Sequence, residues 1–171
     1  MKKSTPPPLK FLFAHPAHFI ACGCGSGLST FAPGTVGTLF AWLTFPLFGM
    51  LLPSAAIIFA TLAVLFILGV IAADITGRHL GVTDHGSIVW DEIVPFWTVL
   101  LFVPAGFSVT AFAWQLLAFL AFRFFDIIKP FPANWFDRQI KNGFGVMMDD
   151  VIAAGYTVLV LLLAQQLWSR M

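Results

Sequence analysis

All eight acidic residues of this sequence lie between Asp74 and Asp150. Two adjacent pairs, Asp91-Glu92 and Asp149-Asp150, stand at the edges of apolar segments. An ionised carboxylate beside lipid costs on the order of several kcal/mol unless something compensates it. Carboxylates gathered together also repel one another, which raises their pKa values. A divalent cation removes both penalties, and hard oxygen donors at this density suit Mg²⁺, which keeps some waters and commonly binds a substrate phosphate. Asp91, Glu92, Asp149 and Asp150 are therefore the candidate metal ligands. Neighbours on a helix point ~100° apart, so one member of each pair can bind while the other supports. The competing reading is acids that simply balance a helix N-terminus.

Arg123, Asp126 and Lys129 follow at i, i+3 and i+6. The first two share a helix face. An arginine fork and a lysine point charge are the usual partners of phosphate. Asp91, Asp126, Asp149 and Arg123 are the candidate catalytic residues, with Lys129 and Arg138 as candidate substrate contacts. Gly23 to Thr38 is rich in glycine, serine and threonine ahead of an apolar run. Its backbone N–H groups could cradle an anion at a helix start, with Ser26, Ser29 and Thr35 beside it. Close packing through small residues is the equally simple alternative. No Gly-Lys-Ser/Thr ending makes it a Walker A loop. His79 and His85 are candidate ligands or proton carriers, while His15 and His18 read as ordinary hydrogen-bonded histidines. Cys22 and Cys24 lack the C-x-x-C spacing of a redox or zinc site and read as two free thiols.

Several phosphatase chemistries are missing. There is no Asp-x-Asp-Gly-Thr run, no Pro-Ser-Gly-His and no Cys-x5-Arg loop. Carboxylates and cations alone leave metal-activated water attacking a phosphomonoester as the economical mechanism, with a covalent aspartyl route still open.

These residues are set in an apolar chain. Hydrophobic residues make up 59% and charged residues 10%, with a mean hydropathy of +0.91. Soluble domains carry roughly 25% charged residues, so lipid must cover much of this surface. A net charge of +1 offers no basic stripe for nucleic acid. The expected fold is an all-α integral membrane bundle of four to five apolar helices with a polar site on the cytoplasmic side. Residues 1–14 read as a flexible basic, proline-rich arm, and residues 15–171 as one membrane domain. Within the latter, Thr35–Leu52 should be a span kinked at Pro46, followed by a turn at Pro53-Ser54. Ala55–Ala73 is the safest span, long enough for a hydrocarbon core of ~30 Å. Ile93–Val103 is short and contains Pro95. Phe107–Phe122 continues helical through Asp126, Gly143 and Gly145 read as breaks, and Asp150–Trp168 is the last span. Lys2, Lys3, Lys10, Arg78, Arg123, Lys129, Arg138 and Lys141 fall on one side of this topology, which the positive-inside rule makes cytoplasmic.

Four blocks resemble the phosphatidylglycerophosphatase A family. They are Gly25-Ser26-Gly27-Leu28-Ser29 with Ala32-Pro33-Gly34-Thr35-Val36-Gly37-Thr38; Asp84-His85-Gly86-Ser87-Ile88-Val89-Trp90-Asp91-Glu92; Phe122-Arg123-Phe124-Phe125-Asp126-Ile127-Ile128-Lys129-Pro130-Phe131-Pro132 with Trp135-Phe136-Asp137-Arg138; and Gly143 to Asp150. They occur in order over roughly residues 20–155. The resemblance implies a multi-pass enzyme of the bacterial inner membrane. It would use Mg²⁺ to hydrolyse phosphatidylglycerophosphate to phosphatidylglycerol and phosphate. It also marks Asp137 as a motif acid and leaves a homo-oligomer open. The rival from another class is an ion or solute transporter using the same acids. The one-sided acids and the lack of repeat symmetry weigh against it.

Overall fold

The computed structural model describes residues 5–52 and 54–170. Among these it is all-helical, without a strand. Its helices are α1 (Lys10–Ala14), α2 (Pro16–Ala21), α3 (Pro33–Thr44), α4 (Pro46–Leu51), α5 (Ala55–Leu80), α6 (Trp90–Leu100), α7 (Val109–Ile128), α8 (Ala133–Gln139) and α9 (Gly143–Trp168), with a 3₁₀ turn at Gly23–Leu28. Four stretches are long and apolar enough to cross a membrane: Pro33–Leu51, Ala55–Leu80, Val109–Ile128 and Gly143–Trp168. Leu43, Phe107 and Val109 are each more than four-fifths exposed, as side chains facing hydrocarbon would be.

The first span bends where proline dictates. Pro46 cannot donate to the preceding turn, so α3 ends at Thr44 and α4 begins afresh. Ser54 caps α5 by accepting from Ile57 N at 3.4 Å; Pro53 of the expected turn lies outside the described residues. Helix α5 runs beyond Ala73 to Leu80 rather than giving way to a polar loop. The Asp74–Arg78 pair, 2.7 Å apart at i,i+4, supports the added turns, and Gly81 ends them in a left-handed conformation.

Helix α6 is the buried axis of the bundle. It packs against α3, α5, α7 and α9, and nine of its residues are buried. At ~1.5 Å per residue it reaches only about half of the hydrocarbon thickness. Residues 101–108 continue toward the far end without helix. Their carbonyls need donors in an apolar setting. Gln115 supplies them to Pro104 O and Gly106 O at 3.0 and 3.1 Å, and Gln165 to Phe102 O at 2.8 Å.

The start of α9 differs most from the sequence reading. Gly143 and Gly145 do not break the chain; they form the first turn of α9. Asn142 caps it by accepting from Phe144 N and Gly145 N at 3.0 and 3.1 Å. Asp149-Asp150 consequently lie inside a helix rather than at its start. The glycine at 143 is required by proximity: a Cβ there would lie 2.0 Å from Val70 O and 2.8 Å from Asp74 N. Nothing lies within 4 Å of a Cβ at Gly155. Gly143→Ala should thus cost about 1–3 kcal/mol by forcing α5 and α9 apart. Gly155→Ala should leave the thermal unfolding midpoint in detergent unchanged or raised. Equal midpoints for the two variants would show that the α5–α9 approach is not close.

Candidate active site

Chain direction gathers the polar residues at one end of the bundle. Helices α5 and α7 finish there, and α6 and α9 begin there. Val89 N donates to Ala21 O at 2.9 Å, which ties the end of α2, just ahead of the glycine-rich segment, to the start of α6. Asp91 and Glu92 occupy the first turn of α6.

Arg123 of α7 is the first organising cation. Its Nη1 lies 2.9 Å from Glu92 Oε1 and 2.8 Å from Asp126 Oδ2. Thr38 Oγ1 stands 3.4 Å from the same nitrogen and donates to Gly34 O at 3.0 Å. Lys129 is the second. It terminates α7 in a left-handed conformation, φ 48°, which turns it back from the helix axis. Its Nζ donates to Asp149 Oδ2, and to Asp137 Oδ1 at 3.2 Å. Burial alone would lower its pKa. Asp149, Asp150 and Asp84 outweigh that and hold the ammonium charged, above the usual lysine range.

Three carboxylates from three helices then converge. Glu92, Asp126 and Asp150 each offer an oxygen within 4.8 Å of the others. Asp150 forms no ion pair within 4 Å among the described residues. Asp149, expected beside it as a ligand, is engaged by Lys129 and accepts from Asp150 N at 3.0 Å. Asp91 is buried, and its Oδ1 has no hydrogen-bond partner. The Nε of Arg123 is also buried and unpartnered. Such atoms are uncommon and call for a partner of their own. The three convergent carboxylates are hard oxygen donors that fit a divalent cation such as Mg²⁺, whereas Asp91, expected as a ligand, lies outside that trio.

The remaining candidates divide. Thr35 stands half-buried in the first turn of α3. Ser26 Oγ donates to Gly23 O at 2.8 Å and Ser29 Oγ to Phe31 O at 2.7 Å, so both hydroxyls hold the loop's own backbone. Arg138 is exposed on α8 and forms no ion pair among the described residues. Small residues in this segment make room for the acid: a Cβ at Gly34 would fall 1.9 Å from Glu92 Oε1. His85 Nδ1 accepts from Ser87 N at 3.2 Å and shapes the loop before α6. His18 and His79 are joined at 2.9 Å, and His18 meets Thr76 Oγ1 at 2.9 Å. These histidines fasten α2 to α5. Cys22 and Cys24 are unpaired, and burial pushes the Cys22 thiol up to about 11.

Two site residues escaped the sequence reading. Thr38 is fully buried between Arg123 and Glu92; its position on the helix face of Gly34 was the available signal. Asp84 is exposed in the loop before α6, near enough to Lys129, Asp137 and Asp126 for their charges to act on it. Partial desolvation raises its pKa, Lys129 opposes this, and Asp137 and Asp126 reinforce it.

The family model for phosphatidylglycerophosphatase A matches residues 19–165. The chain belongs to that family. A Haemophilus influenzae protein named phosphatidylglycerophosphatase A is 44% identical over 159 residues, covering 93% of this chain and 94% of its own. The Escherichia coli K12 protein of the same name is 37% identical, over 82% of this chain and 78% of its own. A Bacteroides thetaiotaomicron protein named putative phosphatidylinositol-3-phosphatase is 39% identical, over 85% and 91%. No solved structure matches the chain. Every member of the carboxylate–cation cluster lies within the matched residues.

The doubly bridged guanidinium gives a direct test. Removing one partner of a buried ion pair typically costs about 3–5 kcal/mol, much of it from the charge left behind. Arg123→Gln should lower the unfolding midpoint sharply, and adding Glu92→Gln should restore part of the loss. A double variant less stable than the single would show that Glu92 repulsion is not what Arg123 relieves.

Proposed function

We propose that the protein hydrolyses the terminal phosphomonoester of phosphatidylglycerophosphate, giving phosphatidylglycerol and inorganic phosphate, with Mg²⁺ as cofactor. The observation that carries this reading is the convergence of Glu92, Asp126 and Asp150 at one end of membrane-length helices, with Arg123 bridging two of them. The names of the Haemophilus influenzae and Escherichia coli relatives supply the substrate. The Bacteroides relative's name also describes a phosphomonoester on a lipid headgroup.

In this reading Glu92, Asp126 and Asp150 would hold Mg²⁺, and Asp91, whose buried Oδ1 has no hydrogen-bond partner, adjoins Glu92 in the first turn of α6. Mg²⁺, when bound, supplies positive charge to phosphoryl oxygens and acidity to water. Arg123 presents its unshared Nε–H to the phosphate while Glu92 and Asp126 fix its orientation. Lys129, held charged by its neighbours, neutralises a second phosphate oxygen. Asp149 keeps Lys129 in place. Asp84, in the loop before α6, is the acid available to protonate the departing glycerol oxygen. Thr35 and Arg138 contact the headgroup, and Ser26 and Ser29 act by holding the loop. The end of the bundle that bears the site also bears most of the described lysine and arginine, and the positive-inside rule supports assigning it to the cytoplasmic face of a bacterial inner membrane. A lipid headgroup can enter there while its acyl chains stay in the bilayer.

Purified protein should release phosphate from phosphatidylglycerophosphate in detergent. Asp126→Asn and Asp150→Asn should each lower kcat by about 100-fold or more while remaining folded and membrane-inserted. Asp149→Asn should do the same by freeing Lys129. Near-normal kcat in folded Asp150→Asn would remove the convergent carboxylates from the chemistry.

A further inference from the structure

A cavity of about 350 Å³ lies between α3–α4 and α5, against the tryptophan-bearing face of α6. Phe40, Leu47 and Phe48 form one wall, and Thr61 and Leu65 the other. Its accessible lining is apolar throughout. Trp90 and Trp97 form its floor, and their N–H groups are already used: Trp90 Nε1 donates to Leu65 O at 3.1 Å and Trp97 Nε1 to Ala41 O at 2.9 Å. The indoles therefore offer only their rings to whatever lies in the groove.

We propose that this groove holds one acyl chain of the lipid whose phosphate occupies the carboxylate cluster. The inference rests on the lipid-phosphatase reading and assigns part of its substrate site. Three observations choose this occupant. The groove belongs to membrane-length helices, so its surroundings are hydrocarbon. It begins at the level of the site along the bundle: on α3 Phe40 lies two residues beyond Thr38, and on α6 Trp90 directly precedes Asp91-Glu92. Cys24 of the glycine-rich turn closes the end nearest the site, and Leu52 lines the other. From Phe40 to Leu51 the helical path covers roughly 16 Å, close to the ~15 Å of hydrocarbon in one leaflet. The volume sits at the lower end of the ~300–1,000 Å³ typical of ligand pockets, which suits one chain rather than a whole lipid.

The test fills the groove without touching the cluster. Leu47→Trp and Thr61→Trp are compared with wild type on phosphatidylglycerophosphate carrying dioleoyl or dihexanoyl chains. The KM for the dioleoyl substrate should rise about tenfold or more, while both constants for the dihexanoyl substrate stay within about twofold. Equal shifts for the two substrates, or none, would overturn the proposal. A readout independent of turnover uses wild-type protein and phosphatidylglycerol with a diazirine-bearing acyl chain. Adducts on residues 40–52 and 61–65, chased by dioleoyl phosphatidylglycerol, support the groove. Adducts spread over α7 and α9, or unaffected by the chase, refute it even if the tryptophan variants fail to fold. A wild-type protein that hydrolyses neither substrate would remove the phosphatase reading, and the photolabel would still decide the groove.

Discussion

Five carboxylates, those of Asp91, Glu92, Asp126, Asp149 and Asp150, are packed at one end of an apolar bundle with only Arg123 and Lys129 inside the cluster to balance them. Five acids against two cations leave three unmatched if all are ionised. In water this would be a modest repulsion; beside hydrocarbon it is the dominant local cost. The surrounding architecture is arranged around that constraint. Arg123 bridges α6 and α7, Lys129 ties the end of α7 to α9, and Gly34 and Gly143 let α3 and α5 come close enough to shield the acids. What remains unbalanced is negative charge, which a divalent cation would offset.

The same arrangement separates two environments within one small protein. The cluster end holds the acids and the described lysines and arginines other than Arg170, whereas at the far end neutral glutamines satisfy the open carbonyls of residues 102–106. Helix α6 connects them. Its first turn carries Asp91 and Glu92 into the cluster, and its tryptophans form the floor of the apolar groove. A phospholipid has this division of chemistry, with a charged head and hydrocarbon tails. The placement of acids near one end is what distinguishes the molecule from a transporter, whose ion sites lie near the bilayer midplane.

Much of this was legible in the sequence. The hydropathy of residues 55–73 and 107–122 marked helices by length and composition alone, and the Arg123/Asp126 spacing placed that pair on one face. What the sequence could not resolve was partnership. Asp149 and Asp150 are chemically alike as neighbours, and only the tertiary placement of α7 against α9 shows that Asp149 meets the Lys129 ammonium while Asp150 joins Glu92 and Asp126. Gly143 and Gly145 resembled breaks because glycine disfavours helices in isolation. Tertiary approach to Val70 and the Asn142 cap reversed that preference. Thr38 and Asp84 were hidden for a related reason: their roles come from neighbours distant in the chain.

The central claim is that a divalent cation completes the carboxylate cluster. Its most direct test is phosphate release from phosphatidylglycerophosphate by one purified sample in Mg²⁺, then in excess EDTA, then with Mg²⁺ restored. Activity that EDTA abolishes and restored Mg²⁺ recovers is expected. Hydrolysis that continues undiminished in EDTA would contradict it, and would leave the buried acids to be balanced by protons and the two resident cations alone.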